Sequence, residues 1–191
     1  MGLTYAYRNL KSSKVDDLEH LYAINTIRLD VEMDEPDIHW MSERELLRGR
    51  LRIKGNVFLH RPDSVVKLAD GQMVAVEAEL STKKPRELDE NLLELLRGEE
   101  YLRAKGDVVG VSLARTMSRF DRSSHDQIWY FAPKTIRKQV RRARAKLVAD
   151  EMISEEEAER IYVLWYPLAL TDEERLLEER EDDAALGLDS E

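Results

Sequence analysis

Apolar positions recur along this chain at two periods, near 3.6 and near 2, and the switches between them mark its elements. Leu18, Leu21, Tyr22, Ile24 (or Asn25) and Leu29 follow helical spacing and predict a helix over 15–32 that buries them. Asp16 and Asp17 sit at its electrostatically favourable N-terminal end. A loop containing Pro36 follows over 33–39. Ser42-Glu43-Arg44-Glu45 then reads as a capping box and starts a second helix at Ser42. Glu43 aligns with Leu47 and Leu51 on the apolar face of that helix, where a carboxylate is costly unless paired. Gly55-Asn56 marks the break after it.

Residues 57–84, VFLHRPDSVVKLADGQMVAVEAELSTKK, change period. Pro62-Asp63 opens a short apolar run, Asp70-Gly71 supplies a turn, and a second run alternates. Val74, Val76, Ala78 and Leu80 share one face of that second strand, and Met73, Ala75, Glu77 and Glu79 share the other. Downstream, Leu88, Leu92, Leu95, Leu96 and Tyr101 or Leu102 give the buried stripe of a helix over 85–105, with Pro85 in its first turn. Residues 108–113 and 127–131 read as strands, separated by a loop over 114–126 that includes the hydrophilic cluster Ser123-Ser124-His125. Ile136, Val140, Ala143 and Leu147 line a further helix, 154–157 resembles a helix start, and 160–168 is apolar enough to be a last strand. Strands and helices in this order predict an α/β fold, a sheet with helices on its faces.

Composition narrows the function classes. With no cysteine, disulfides, zinc–thiolate sites and thiol nucleophiles are excluded. No apolar run reaches the ~18–20 residues of a membrane span, and 1–14 lacks a signal-peptide core, so the expectation is a cytoplasmic protein without membrane contact. The net charge of −9 is unevenly spread: residues 150–191 hold 16 acidic and 3 basic residues, leaving +4 on 1–149. The expected organisation is one domain over 1–170 and an acidic tail over 171–191, which could lie on basic surface of the body and compete with DNA. Residues 134–146 hold seven Lys or Arg in thirteen positions, a face suited to phosphates or simply to solvent.

Candidate chemistry centres on the hairpin. Glu77 and Glu79 point to one side of a strand, about 6–7 Å apart along it. A hairpin turn at Asp70-Gly71 brings Asp63 alongside. Three such carboxylates form a hard-oxygen site suited to Mg²⁺ or Mn²⁺, with Lys83 and Lys84 close behind; the plainer reading is a set of acids on the solvent face of a hairpin.

The order Pro62-Asp63, hairpin, Glu77-x-Glu79 and a nearby lysine resembles the PD-(D/E)xK nuclease superfamily. More narrowly, HRPDSVVKL…MVAVEAELSTKK looks like the nuclease-like domain of the replication-relaxation family, plasmid and phage proteins that include relaxases related to restriction endonucleases. The likeness extends through LEHLYAINTIRLDVE and WMSERELLRGR and covers residues 18–135. It implies a restriction-endonuclease-like core, a central mixed sheet flanked by helices, and Mg-dependent nuclease or nickase chemistry on DNA in plasmid or phage replication, mobilisation or processing. It implies Asp63 and Glu77 as primary metal ligands, Glu79 as a third carboxylate and Glu43 as a further one. Lys83 would orient the attacking water or stabilise charge at phosphorus. It also places a histidine at His20, which otherwise reads as a boundary histidine; His60 precedes the motif and reads as either a site residue or an exposed one. Lys84, Arg86, Lys134, Arg137, Lys138, Arg141, Arg142 and Arg144 are the expected DNA contacts.

Two departures temper the resemblance. Glu79 stands where the superfamily motif has its lysine, so Lys83 must act from four residues further on. Only 17 residues precede the stretch that carries the likeness, so the winged-helix region usual in that family is expected to be absent. Sequence recognition would then need a separate DNA-recognition protein, self-association or another surface. The alternative is a catalytically inactive nuclease fold that binds DNA or protein.

Overall fold

A computed structural model describes residues 15–46, 60–106 and 125–166. The expected strand at 108–113, most of the loop after it, the helix continuation beyond Leu46 with its Gly55-Asn56 break, the entry segment and the acidic tail lie outside these residues. The described chain is α/β: a five-stranded mixed sheet in the order β1-β2-β3-β4-β5, with helices on both faces.

α1 (Val15–Asp34) leads through a turn to the edge strand β1 (His39–Ser42), a strand the sequence pattern does not predict between the loop ending at 39 and the helix start at Ser42. Four residues are too few to show a period, and β1 exists because Trp40 and Met41 pair across to Val66 and Val65 of β2 (Ser64–Lys67). The short helix α2 (Glu43–Leu46) follows at the expected place, and the Glu45 carboxylate accepts from both the amide and the hydroxyl of Ser42.

β2 and β3 (Met73–Ala78) form the expected hairpin, with Ser64 opposite Val76 and Lys67 opposite Met73. Gly71 takes φ +93° in the turn, a conformation that only glycine adopts without strain, and Leu68 closes the turn by bonding to Gln72. β3 then pairs in parallel with β4 (Gln127–Ala132), and β4 in parallel with β5 (Ile161–Trp165).

The alternation read in β3 sorts its side chains between two cores. Val74, Val76 and Ala78 pack with Ala23 and Ile27 of α1. Ala75 packs on the other face with Leu88, Leu92 and Leu96 of α3 (Pro85–Arg97) and Val140 of α5 (Lys134–Ala149). The single helix expected over 85–105 is two. Gly98, at φ 51° and ψ −124°, ends α3 and starts α4 (Glu99–Ala104), a bend that a side chain would resist.

Two further corrections concern burial. In α1 the sheet-facing residues are Ala23 and Ile27, whereas Leu18, Leu21, Tyr22 and Leu29 are exposed. The helix is apolar on two opposite sides, and only the sheet decides which turns inward. His125, read as part of a hydrophilic loop, is buried beside β4, and its Nδ1 lies 3.0 Å from the carbonyl of Leu95. At the far end of the described chain Ser154 and Glu157 close a complete capping box on α6 (Glu155–Glu159), the turn that feeds β5.

Candidate functional site

β3 runs out of the sheet core at Glu77, and its last residues line a cavity of about 350 Å³. The strand alternation carries Glu77 toward the α3 face, and the antiparallel register puts Asp63 across from it, one residue before β2. The walls are Glu19 and His20 from α1, His60 and Asp63 from the segment before β2, and residues 77–81 with Lys83 from the end of β3. Asp63, Glu77, Glu79 and Lys83, far apart as charges in an unfolded chain, therefore meet in one pocket. His20 and His60 meet them there.

Each carboxylate has a partner. Asp63 Oδ2 accepts from the amide of Ala78 at 2.9 Å, which ties the segment before β2 to the end of β3. Its Oδ1 lies 2.9 Å from His20 Nε2. His20 reaches it because it lies on the same stripe of α1 as Ile24, Ile27 and Val31, the stripe that faces the sheet. Glu77, only 3% exposed, has Oε1 3.0 Å from His60 Nε2. The amide of His60 in turn donates to the Glu94 carboxylate of α3. Glu79 is buried, pairs with Lys83 Nζ, and accepts from the Ser81 hydroxyl at 3.2 Å.

Burial and charge act on these groups in opposite directions. Burial pushes the Glu77 carboxyl above the ordinary carboxylate value, with the repulsion of Asp63 adding to it and His60 opposing it. For His60, burial disfavours the proton, but the charge and hydrogen bond of Glu77 outweigh it and raise the imidazole above its usual value. The hydrogen bond to Asp63 raises His20 in the same way. Burial also works against the Lys83 ammonium; the Glu79 contact and the charges of Glu77, Glu79 and Asp63 prevail and hold it charged. Within the pocket Asp63, Glu77 and Glu79 thus face two imidazoles and one ammonium.

The expected site residues divide accordingly. Asp63, Glu77, Glu79 and Lys83 are together, with His20 and His60. Glu43 is not: it is exposed, outside the pocket, and its Oε1 accepts from Arg61 at 2.7 Å. Its place at the first residue of α2, rather than within a core-facing row, accounts for this. Among the expected DNA contacts, Arg137 is fully buried with its guanidinium 3.1 Å from the ring centre of Trp165. Three residues before Val140, it falls on the inward stripe of α5, so it is a core residue and not a surface cation. Arg144 donates to the carbonyl of Ile161 at 2.9 Å and so braces β5. Lys84, Arg86 and Arg142 are exposed, and Lys134, Lys138 and Arg141 are half-buried. Glu94, Ser81 and Glu19 were not singled out from the sequence; the 34 residues between His60 and Glu94 leave no local signal for their contact.

Hard oxygen donors on three carboxylates suit a hard divalent cation, so the donor chemistry fits Mg²⁺ or Mn²⁺. The described arrangement is the protein-paired one: Asp63, Glu77 and Glu79 share the pocket, but among the described residues no three His, Asp or Glu side chains are arranged as a group that could hold a metal ion. A cation would therefore take the carboxylates over from His20, His60 and Lys83. Among the described residues no helix is long and apolar enough to cross a membrane. No family model matches this chain, and neither does any curated protein or solved structure.

Proposed function

We propose that this chain is a divalent-cation-dependent phosphodiester hydrolase acting on DNA, a nuclease or nickase of the replication-relaxation type on a PD-(D/E)xK-like core. The observation that carries the reading is the convergence of Asp63, Glu77, Glu79 and Lys83 in one pocket at the end of β3. The mixed sheet, antiparallel at β1–β3 and parallel at β3–β5, is compatible with that core.

Asp63 and Glu77 would hold Mg²⁺ or Mn²⁺, with Glu79 as the third carboxylate. Such a cation, when bound, neutralises the scissile phosphate and lowers the pKa of an attacking water. The remaining work belongs to the chain. The Ala78 amide fixes the orientation of Asp63. His60, itself held by Glu94, orients Glu77. Lys83, kept cationic among the carboxylates, supplies positive charge for the anion that develops at phosphorus. By register Glu79 lies beside Ala132, two residues before α5 begins, so Lys134 starts at the same sheet edge as the pocket. Lys134, Lys138, Lys84 and Arg86 are the cations best placed to follow a DNA backbone toward it.

One observation favours a second reading, a catalytically inactive nuclease fold that binds DNA or protein. Asp63, Glu77 and Glu79 are already partnered by His20, His60 and Lys83 without a cation.

Calorimetric titration of Mn²⁺ into the wild type and Asp63→Ala, with supercoiled plasmid incubated in parallel, separates the two. The hydrolase reading expects metal binding and plasmid nicking, with Asp63→Ala losing more than the about 10–100-fold that changes around a metal's outer partners cost. No metal binding at millimolar concentration, with DNA affinity unchanged in Asp63→Ala, would leave the binding reading.

A further inference from the structure

The helix that lends His20 to the pocket has a second apolar face. Leu18, Leu21, Tyr22, Leu29 and Met33 are between 44% and 76% exposed. At 100° per residue Leu18, Tyr22, Leu29 and Met33 fall in one narrow strip along α1, directly opposite Ile24, Ile27 and Val31. Four large side chains on one strip of one helix, with Leu21 beside them, exceed the scattered exposure that an isolated domain normally tolerates.

Two uncharged polar residues lie within or beside the strip, and each donates to its own helix. Asn25 Nδ2 donates to the Leu21 carbonyl at 2.8 Å, and the Thr26 hydroxyl donates to the Tyr22 carbonyl at 2.9 Å. Covering the strip would leave these two donors bonded, which lowers the penalty for desolvating them.

Charge selects what covers it. Glu19 and Asp30 flank the strip on one side, and Glu32 flanks it on the other. Over its whole length α1 carries six acidic residues and one basic one, Arg28, which is spent on Glu32 at 2.9 Å. A second copy packed antiparallel would match Leu18 with Met33 and Tyr22 with Leu29, but would bring Glu19 beside Asp30 of the other copy twice over. The segment 167–191 starts next to Tyr166, whose phenol is raised by burial and by the neighbouring Tyr22 and Glu19, so it begins within reach of the strip. It carries ten acidic and two basic residues, the wrong sign for this rim.

We propose that the outer face of α1 is a docking surface for a separate protein's amphipathic helix, one whose apolar seam is flanked by lysine and arginine. Such a partner matches both the apolar strip and the acidic rim. This inference stands apart from the chemistry of the pocket, since none of the strip residues lines it.

The test uses the full chain and two synthetic labelled peptides with the same leucine seam, one flanked by Lys and Arg, the other by Glu. Fluorescence anisotropy should show the basic peptide binding, weakening as salt rises, and losing about tenfold or more in affinity to Leu29→Gln/Met33→Gln. Both positions are exposed, and an unchanged melting temperature would show that the fold survives. Equal binding of the acidic peptide, or no binding of either, overturns the proposal. So does a wild-type dimer in light scattering that Leu29→Gln/Met33→Gln dissolves, which would make a second copy the occupant. Residues 1–14 carry three basic and no acidic residues among apolar ones, so basic-peptide binding that appears only after deletion of 1–14 or of 167–191 would make the chain's own segment the occupant and overturns it too.

Discussion

Glu77 shows how a single side chain couples fold to chemistry. Its carboxylate sits on a strand that is buried on both faces, an environment that disfavours charge, and His60 is the group that offsets it. His60 titrates above its ordinary 6.5 because of that pairing, after the opposing effect of burial has been overcome. A folded-state value above the unfolded one means that the contribution to stability is fully present below 6.5 and is lost as pH rises through the folded value. NMR titration of the imidazole should place the His60 midpoint above 6.5, and Glu77→Gln should move it down. An unmoved midpoint would dissociate the two residues. Glu77 was legible as a site residue from the alternation of β3. Its partner was legible only as a histidine near a turn, because the contact that orients it comes from Glu94 on another element.

Among the elements, α6 and β5 depend on one ion pair. Arg97, at the end of α3, donates from Nε and from Nη2 to the two oxygens of Glu157, each at 2.8 Å, while Glu157 also closes the capping box of α6. The Arg97 hydrogen bonds, over an opposing contribution from burial, hold the Glu157 carboxyl down at about 2 against an ordinary 4.5. Its contribution to stability is therefore present above 4.5 and is lost as pH falls toward 2. Thermal melts from pH 5 to pH 2 should show Glu157→Gln less stable at the upper end, with the difference shrinking toward the lower. A constant difference across that range would rule the pair out as its source. The capping signature at 154–157 was readable locally, because a cap needs only four consecutive residues. The bond to Arg97 was not, since it joins positions 60 residues apart.

At the scale of the whole molecule, the charge division seen along the chain is only partly a division of surfaces. Of the basic residues on α5, Arg137 is in the core, Arg144 holds β5, and Lys146 pairs with Asp89. The cationic surface expected of a DNA contact is correspondingly reduced, and the exposed Lys84, just before α3, and Arg86, in its first turn, gain weight within it. Lys84→Ala/Arg86→Ala should weaken duplex DNA binding uniformly across sequences and reduce the slope of log affinity against log salt by about 2. A slope unchanged in the double variant would move the DNA path elsewhere.

Sequence alone determined the hairpin, the strand alternation that puts Glu77 and Glu79 on one side, the apolar stripe of α5, and the α/β class, because each follows from neighbours within a few residues. Tertiary structure decided which of the two apolar faces of α1 meets the sheet, that four residues at 39–42 are a strand, and that Arg137 is inside while Glu43 is out. It also decided that the acids at the end of β3 meet His20 and His60. Those outcomes rest on contacts between distant segments, and the periodicity of an amphipathic element says that it has a face to bury without saying against what. For α1, with two such faces, the sheet made the choice and left the second one open.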